Sequence, residues 1–350
     1  MRILALRLSA LGDVAMTVPV LTSLAEQYPE IEITVLSKSF MQPLFAKMPS
    51  NVVFRGVDVN RYKGLGGLFQ LYRKLKREGG YDAVADLHDV LRSKILRTFF
   101  LFSGAKVAHI KKGRKEKKAL VRFRHKVLKQ LPSSFTRYEE VFAELGYPVN
   151  TEFHSIFKKG KGDVSLFQAI AGIPDGKQWI GIAPFAAHRG KMLPETTIAS
   201  LIQELATHDN WKIFLFGGGK TERRLLEHWA SDYPNVQSLA GRLNLYEELA
   251  LISHLNVMVS MDSANMHLAS LTGTPVISVW GATHPFAGFM GWGQTTDKAI
   301  QTELSCRPCS IFGNKPCFRK DYACLTGIKA KDIVNKIKNT IENDTSKSLI

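Results

Sequence analysis

A chain of 350 residues is long for a single domain and sufficient for two hydrophobic cores; 45% hydrophobic and 22% charged residues exclude a disordered or fibrous chain. The formal net charge of +16 selects anionic partners, whether nucleic acid, an acidic membrane surface or phosphorylated substrates, without choosing among them. No stretch reaches the roughly 18 consecutive apolar residues of a membrane span, and Arg7 and Asp13 interrupt the first apolar run. Residues 1–20 therefore read as a strand, a loop and a helix rather than a signal peptide, and the chain is expected in the cytoplasm.

In chain order, short β-branched or apolar runs alternate with amphipathic stretches of helical length. Strands are expected at residues 3–8, 33–36, 52–55, 83–86 and 106–109. Helices are expected at 14–27, 67–78, 91–102 and 134–145, the last capped by Ser133 or Ser134. A turn-rich stretch at 146–150 and a polar one at 158–163 interrupt the pattern. The alternation then restarts, with strands at 179–184, 212–216, 236–239, 257–260 and 276–279. The matching helices lie at 194–207, 221–230, 245–253, 264–271 and 330–341. Strand–helix units of about 30 residues imply parallel sheets with right-handed crossovers. Two such series imply an α/β protein of two Rossmann-like domains, residues 1–160 and 161–350, facing a cleft, with the last helix free to return onto the first domain. Ligands of such sheets bind beyond the carboxyl ends of the strands.

Four post-strand loops carry candidate chemistry. Gly12 and Asp13 follow the first strand, where Asp13 is either a general base or a carboxylate satisfying N–H groups at a helix start. Lys191, after the first strand of the second half, is either a diphosphate ligand or a solvated loop lysine. The run Gly217, Gly218, Gly219 lets backbone approach a ligand but has neither the P-loop spacing nor a complete dinucleotide fingerprint. Glu222 beyond it either binds ribose hydroxyls or simply favours a first helical turn. Asp262 can cap a helix starting near Ala264, whose freed N–H groups suit a phosphate; His267 one turn on is either a ligand or a core histidine.

Taken together, these residues resemble the ADP-heptose:lipopolysaccharide heptosyltransferase family, glycosyltransferase family 9. The resemblance is carried by Met1 to Leu4, Gly12, Asp13 and Pro19; by Tyr81, Asp86, His88, Leu91, Arg92 and Ser93; by Arg137 and Tyr138 before Leu145 and Gly146; and by Lys191, Glu222, Gly241 to Leu245 and Asp262 to His267. It spans about residues 1–326. It implies a GT-B fold and an inverting, metal-independent transfer of a heptose or similar sugar from a nucleotide donor, ADP-linked by family habit, to a lipopolysaccharide core or related glycolipid. It makes Asp13 the catalytic base and Lys191 the group that stabilises the leaving diphosphate. It extends the donor set to Gly12, Ala187, Gly217, Gly218, Glu222, Leu243, Asp262, Ser263, Ala264, Met266 and His267. No cofactor is implied, and the sequence has no D-x-D metal–nucleotide motif. Two departures fall in the donor pocket: Ala264 and Asn265 follow Ser263 where the family has glycine, and Leu193 stands where it has tryptophan before Pro194. A different nucleotide, sugar or acceptor stays open.

Eleven lysines and arginines against Glu116 alone fall in residues 106–129. They read either as a solvated face or as a surface docking on glycolipid phosphates and the anionic cytoplasmic face of the inner membrane, as a peripheral contact. A helix with Leu120, Phe123, Val127 and Leu128 on one side is expected there. Arg92, Lys111, Lys112, Arg114, Arg122 and Arg137 form the expected acceptor-binding set, with Lys94 and Arg97 as additions. No nucleic-acid module is visible, so nucleic acid is not an expected partner. Cys306, Cys309, Cys317 and Cys324 read either as reduced thiols or as a structural zinc or Fe–S site remote from the chemistry. A sugar-nucleotide epimerase of the same architecture and a non-catalytic binder of anionic lipid or nucleic acid are the alternatives.

Overall fold

The structure, a computed structural model, describes residues 1–158 and 160–347. The chain begins β1 (Arg2–Leu6), α1 (Leu11–Ala15), α2 (Thr17–Gln27), β2 (Glu32–Lys38), β3 (Val52–Val57), α3 (Gly64–Gly79), β4 (Ala83–Asp86), α4 (Leu91–Phe102) and β5 (Lys106–His109). It continues through α5 (Arg114–Leu120), α6 (Ser134–Glu144), α7 (Gln168–Ala171), β6 (Gln178–Ala183), α8 (Glu195–Ala206), β7 (Trp211–Leu215), α9 (Lys220–Ala230) and β8 (Val236–Ser238). It ends with α10 (Leu245–Ile252), β9 (Val257–Met261), α11 (Ala264–Leu271), β10 (Val276–Trp280), β11 (Ala299–Gln301), α12 (Ala323–Thr326) and α13 (Ala330–Lys347).

Two compact units result. The first comprises Met1–Gly113 and Pro132–Ile156; the second comprises Arg114–Leu131 and the described residues from Phe157 onward. The basic stretch is thus divided: Lys111 and Lys112 belong to the first unit, Arg114 and Arg122 to the second.

The first unit is built on a five-stranded parallel sheet of order β3-β2-β1-β4-β5. Ile3, Leu4, Ala5 and Leu6 of β1 and Ala83, Val84 and Ala85 of β4 are buried, as expected of central parallel strands covered on both faces by helices. The expected helix over 14–27 is two helices, α1 and α2, meeting at Met16. Ser133 caps α6, its Oγ accepting the Thr136 N–H at 3.0 Å.

The second unit carries a six-stranded parallel sheet of order β11-β10-β9-β6-β7-β8. The three-residue β11 is too short to show a pattern in sequence. The last helix, α13, packs on α8, and Ile333, Val334 and Ile337 join Leu201 and Leu205 in the core of the second unit. The expected basic helix is shorter than its apolar pattern suggested. It stops at Leu120, and of its supposed apolar side only Leu120 is buried; Phe123, Val127 and Leu128 are exposed. Lys115, Lys117 and Lys118 crowd like charges on the short helix, and His125, at φ 53°, has left helical geometry.

In each sheet the first strand has neighbours built in opposite chain directions: β1 lies between β2 and β4, and β6 between β7 and β9. The loops leaving β1 and β4, and those leaving β6 and β9, diverge above the carboxyl ends of their strands. Such a switch point is where an open α/β sheet presents residues to a ligand. No helix among the described residues is long and apolar enough to cross a membrane.

Candidate active-site residues in the two units

At the switch point of the first unit, β1 delivers Arg7 and Asp13, and the adjacent β4 delivers Asp86, His88 and Asp89. Asp13 lies in α1, a helix with no side-chain cap at its start, and its Oδ2 accepts the Ala10 N–H at 3.2 Å. The same oxygen lies 2.7 Å from an Arg7 guanidinium nitrogen. The Asp13 side chain is 36% exposed, so the carboxylate is fixed from behind yet open to a second molecule. Arg7 is itself buried and donates to the Leu87 carbonyl at 2.6 Å. Burial opposes its charge, but Tyr138, Asp13 and Asp86 outweigh that and raise its pKa. Tyr138, pushed up to about 12 chiefly by burial, donates its hydroxyl proton to the Asp13 carbonyl at 3.3 Å.

His88 is held neutral. Burial, then the charges of Arg7 and Lys112, lower its pKa to about 4. The Leu8 N–H faces Nδ1 at 3.4 Å, which assigns the ring proton to Nε2, 3.4 Å from the Ser9 hydroxyl oxygen. Beneath it, the wholly buried Asp86 accepts the His88 and Asp89 N–H groups at 2.9 and 2.8 Å and pairs with Arg97 at 2.8 Å. Asp89 adopts φ 45° and gathers cations: Arg97 at 3.2 Å, Lys94 at 3.5 Å and, through its carbonyl, Lys112 at 3.1 Å. Burial alone would raise the Asp89 carboxyl; Lys94, Arg97 and Lys112 hold it below the ordinary carboxylate range.

The second unit repeats the logic with the opposite charge foremost. Lys191 follows β6 and Asp262 follows the neighbouring β9. The Lys191 ammonium lies 3.0 Å from Asp262 Oδ2, the side chains being 16% and 5% exposed. Asp262 was expected to cap α11; it is turned to Lys191 instead, and the cap position is Ser263, whose side chain makes no capping bond and faces Ser260 Oγ at 3.3 Å. The first N–H groups of the eight-residue α11 are therefore left for water or an anion.

Three glycines place Lys191. The Gly190 carbonyl accepts the Ala282 N–H at 2.8 Å. A Cβ on Gly281 would meet the Gly190 oxygen at 2.6 Å, one on Gly190 the Gly313 oxygen at 2.8 Å, and one on Gly313 the Lys191 side chain at 2.6 Å. The loop after β10 is tied down in turn by the buried Arg307, which donates to the carbonyls of Gly281, Thr302, Trp280 and Thr283 at 2.5 to 3.0 Å. This arrangement offers a mobile anion one lysine and a helix start, on a backbone that cannot easily shift.

A sequence profile of glycosyltransferase family 9 (heptosyltransferase) matches residues 68–319. The chain belongs to glycosyltransferase family 9. Among its relatives is lipooligosaccharide heptosyltransferase 2 of Haemophilus influenzae, 26% identical over 304 residues that cover 81% of this chain and 84% of the relative. Two similar solved structures are E. coli ADP-heptose LPS heptosyltransferase II and the E. coli heptosyltransferase WaaC with ADP. The first has a TM-score of 0.72 at 18% identity, covering 99% of this chain and 100% of the other. The second has a TM-score of 0.67 at 21% identity, covering 97% and 100%. The α/β fold of two Rossmann-like units is thus the GT-B heptosyltransferase fold, and the protein is a glycosyltransferase. The epimerase and non-catalytic alternatives fall away.

The remaining expected residues of this family-9 enzyme lie as follows. Gly12 is buried in α1. Ala187 is exposed after β6, Gly218 is exposed, and Gly217 and Leu243 are half-buried. Glu222 is in the first turn of α9, where Oε2 accepts the Gly218 N–H at 2.8 Å. Ala264 opens α11, and Met266 and His267 are buried within it. Arg92 is half-buried at the start of α4, and Arg114 and Arg122 are exposed. Lys112 is held by Asp89. Lys111 pairs with Glu144 at 3.5 Å, and the buried Arg137 donates to the Lys111 carbonyl at 2.5 Å. Cys306, Cys309, Cys317 and Cys324 are free thiols. Among the described residues no three His, Cys, Asp or Glu side chains are grouped to hold a metal ion, so the zinc or Fe–S reading gains no support. Arg7, His88, Asp89 and Arg307 were not expected as site residues from sequence. For Arg7, His88 and Asp89 the available signal was their place just after β1 and β4.

Proposed function

We propose that this family-9 glycosyltransferase moves a heptose from an ADP-linked donor onto a lipopolysaccharide core or related anionic glycolipid, with inversion and without a metal. The names of its relatives supply the substrate class: lipooligosaccharide heptosyltransferase 2, ADP-heptose LPS heptosyltransferase II and a heptosyltransferase with ADP. The observation that carries the chemistry is the half-open Asp13 carboxylate pinned at 2.7 Å by Arg7.

In this reading the acceptor hydroxyl donates its hydrogen bond to Asp13. As its oxygen bonds to the anomeric carbon, its proton passes to the carboxylate, and the bond from that carbon to the donor phosphate breaks. Attack opposite the leaving group inverts the centre in one displacement. The departing ADP gathers negative charge, which Lys191 and the N–H groups at the start of α11 are suited to stabilise. These fixed donors take the part a divalent cation plays elsewhere. Glu222, with one oxygen on Gly218, has the other for a ribose hydroxyl. The basic side chains Arg92, Lys112, Arg114 and Arg122 meet acceptor phosphates, at the cytoplasmic face of the inner membrane. Ala264, Asn265 and Leu193 tune the donor pocket away from the usual family residues.

The test is transfer from ADP-heptose, compared with UDP-, GDP- and CMP-sugars, onto deacylated lipopolysaccharide core in excess EDTA, with the product anomer read by NMR. Transfer from the ADP donor, unaffected by EDTA and with the opposite anomeric configuration, is expected. Retention of configuration, or loss of activity in EDTA restored by magnesium, would overturn the proposal.

A further inference from the structure

Beyond α5 the second unit presents apolar side chains that the fold does not cover. Phe123 is 75% exposed, and Val127, Leu128, Phe312 and Phe318 are each more than half exposed. They come from two stretches nearly 200 residues apart in sequence, yet they meet: the Phe123 and Phe318 rings pack edge to face at 5.3 Å. Phe312 lies against Phe289 at 5.9 Å, and the Lys117 ammonium sits 4.4 Å from the Phe289 ring.

The stretch is anchored, so these side chains are presented rather than trailing. Leu120 and Leu131 are buried with Ala287. The Leu131 N–H bonds the Phe286 carbonyl at 3.0 Å, and Lys126 donates to the Cys306 carbonyl at 2.8 Å. The surrounding charge has one sign. Lys115, Lys118, Arg124, Lys129, Lys315 and Lys320 are exposed. In the same two stretches, 114–131 and 309–321, the acids are Glu116 and Asp321, and Asp321 pairs with Arg319 at 2.8 Å.

We propose that this face of the second unit docks on an anionic lipid bilayer, with Phe123 and Phe318 entering the interface and the lysines and arginines meeting lipid phosphates. The inference rests on the reading of the substrate as a membrane glycolipid. Both halves of the surface fit a bilayer. Aromatic rings settle at the boundary between headgroups and acyl chains, and long basic side chains reach the phosphates from beside them. A polyanion such as RNA would engage the charge without needing Val127 and Leu128 uncovered. A second copy of this chain would bring the same positive charge against itself.

The experiment is co-sedimentation of the full chain with vesicles of phosphatidylethanolamine and phosphatidylglycerol, in a ratio of roughly 7:3 so that the surface is anionic, set against phosphatidylcholine vesicles. Wild type is expected to bind the anionic vesicles and not the neutral ones, with binding lost at high salt. The K115Q/K118Q/R124Q/K129Q variant should bind roughly fivefold more weakly for each charge removed. F123S/F318S should lose at least tenfold at unchanged Tm. Phe123→Trp, which keeps the ring contact, gives a readout independent of that double variant: its emission, as the difference from wild type, should shift to shorter wavelength on anionic vesicles. Absence of vesicle binding, binding untouched by F123S/F318S, no emission shift, or a dimer that F123S/F318S dissociates would each overturn the proposal. Transfer to water-soluble deacylated core, measured separately, should be unchanged in these variants. A wild type that binds vesicles but transfers nothing contradicts the proposed function alone, and one that transfers but ignores vesicles contradicts the docking alone.

Discussion

The Lys191 ammonium and the Asp262 carboxylate form a nearly buried ion pair, 3.0 Å apart, on loops leaving adjacent strands. Each holds the other in a place where either alone would be an unpaired charge. In the proposed reaction a bound diphosphate competes with Asp262 for the same ammonium. Asp262→Asn should therefore lower the stability of the ligand-free enzyme by about 3 kcal/mol, as loss of one partner of a buried pair does. The same change removes a negative charge from beside the proposed donor-phosphate site, so ADP should raise the Tm of the variant by more than it raises that of wild type. Thermal shift with and without ADP measures both. An equal or smaller shift in the variant would show that Asp262 does not oppose the nucleotide.

The three glycines around Lys191 make a second prediction. A methyl group on Gly281 points at the Gly190 carbonyl and at Leu325, both at 2.6 Å, so Gly281→Ala must displace the backbone that carries Lys191. Overpacking of this kind costs about 1–3 kcal/mol. The donor KM should rise at least tenfold while the acceptor KM stays put. Steady-state kinetics with each substrate varied in turn separates this from a general loss of folded protein.

How far these features could be read in advance depended on how local they are. The strands at 83–86 and 106–109 and the helices at 91–102 and 264–271 lie where the sequence pattern puts them, because a buried parallel strand and an amphipathic helix each leave a periodic signature within one segment. The positions of Asp13 and Lys191, beyond the carboxyl ends of β1 and β6, were readable because they follow the first strand of each series. Arg7 and His88 were not, since their meeting depends on β1 pairing with β4, with Leu6 opposite Asp86. The packing of Gly190, Gly281 and Gly313 joins three loops that sequence spacing does not relate. Phe123, Val127 and Leu128 misled because an apolar repeat resembles a buried helical face whether or not the helix continues.

His88 gives a pH-dependent stability. Its folded pKa of about 4 lies below the ordinary 6.5, so between those values the unfolded chain takes up a proton that the folded chain refuses. Stability is unaffected above about pH 6.5 and falls as pH drops toward 4, by at most about 3 kcal/mol from this residue. His284, also lowered to about 4 chiefly by burial, adds in the same direction. His88→Asn, which keeps an acceptor for the Leu8 N–H, should flatten the decline seen in urea unfolding between pH 4 and 6.5. A slope identical to wild type would mean that the imidazole is protonated in the folded state.

The most direct measurement of the proposed chemistry is Asp13→Asn, which preserves the side-chain shape and removes the proton acceptor. Single-turnover transfer from ADP-heptose should slow by about 10²–10⁴-fold, the range for loss of a general base, while the affinity for ADP measured by calorimetry stays within a factor of about two. Transfer by the variant at the wild-type rate, with ADP bound normally, would remove Asp13 from the reaction.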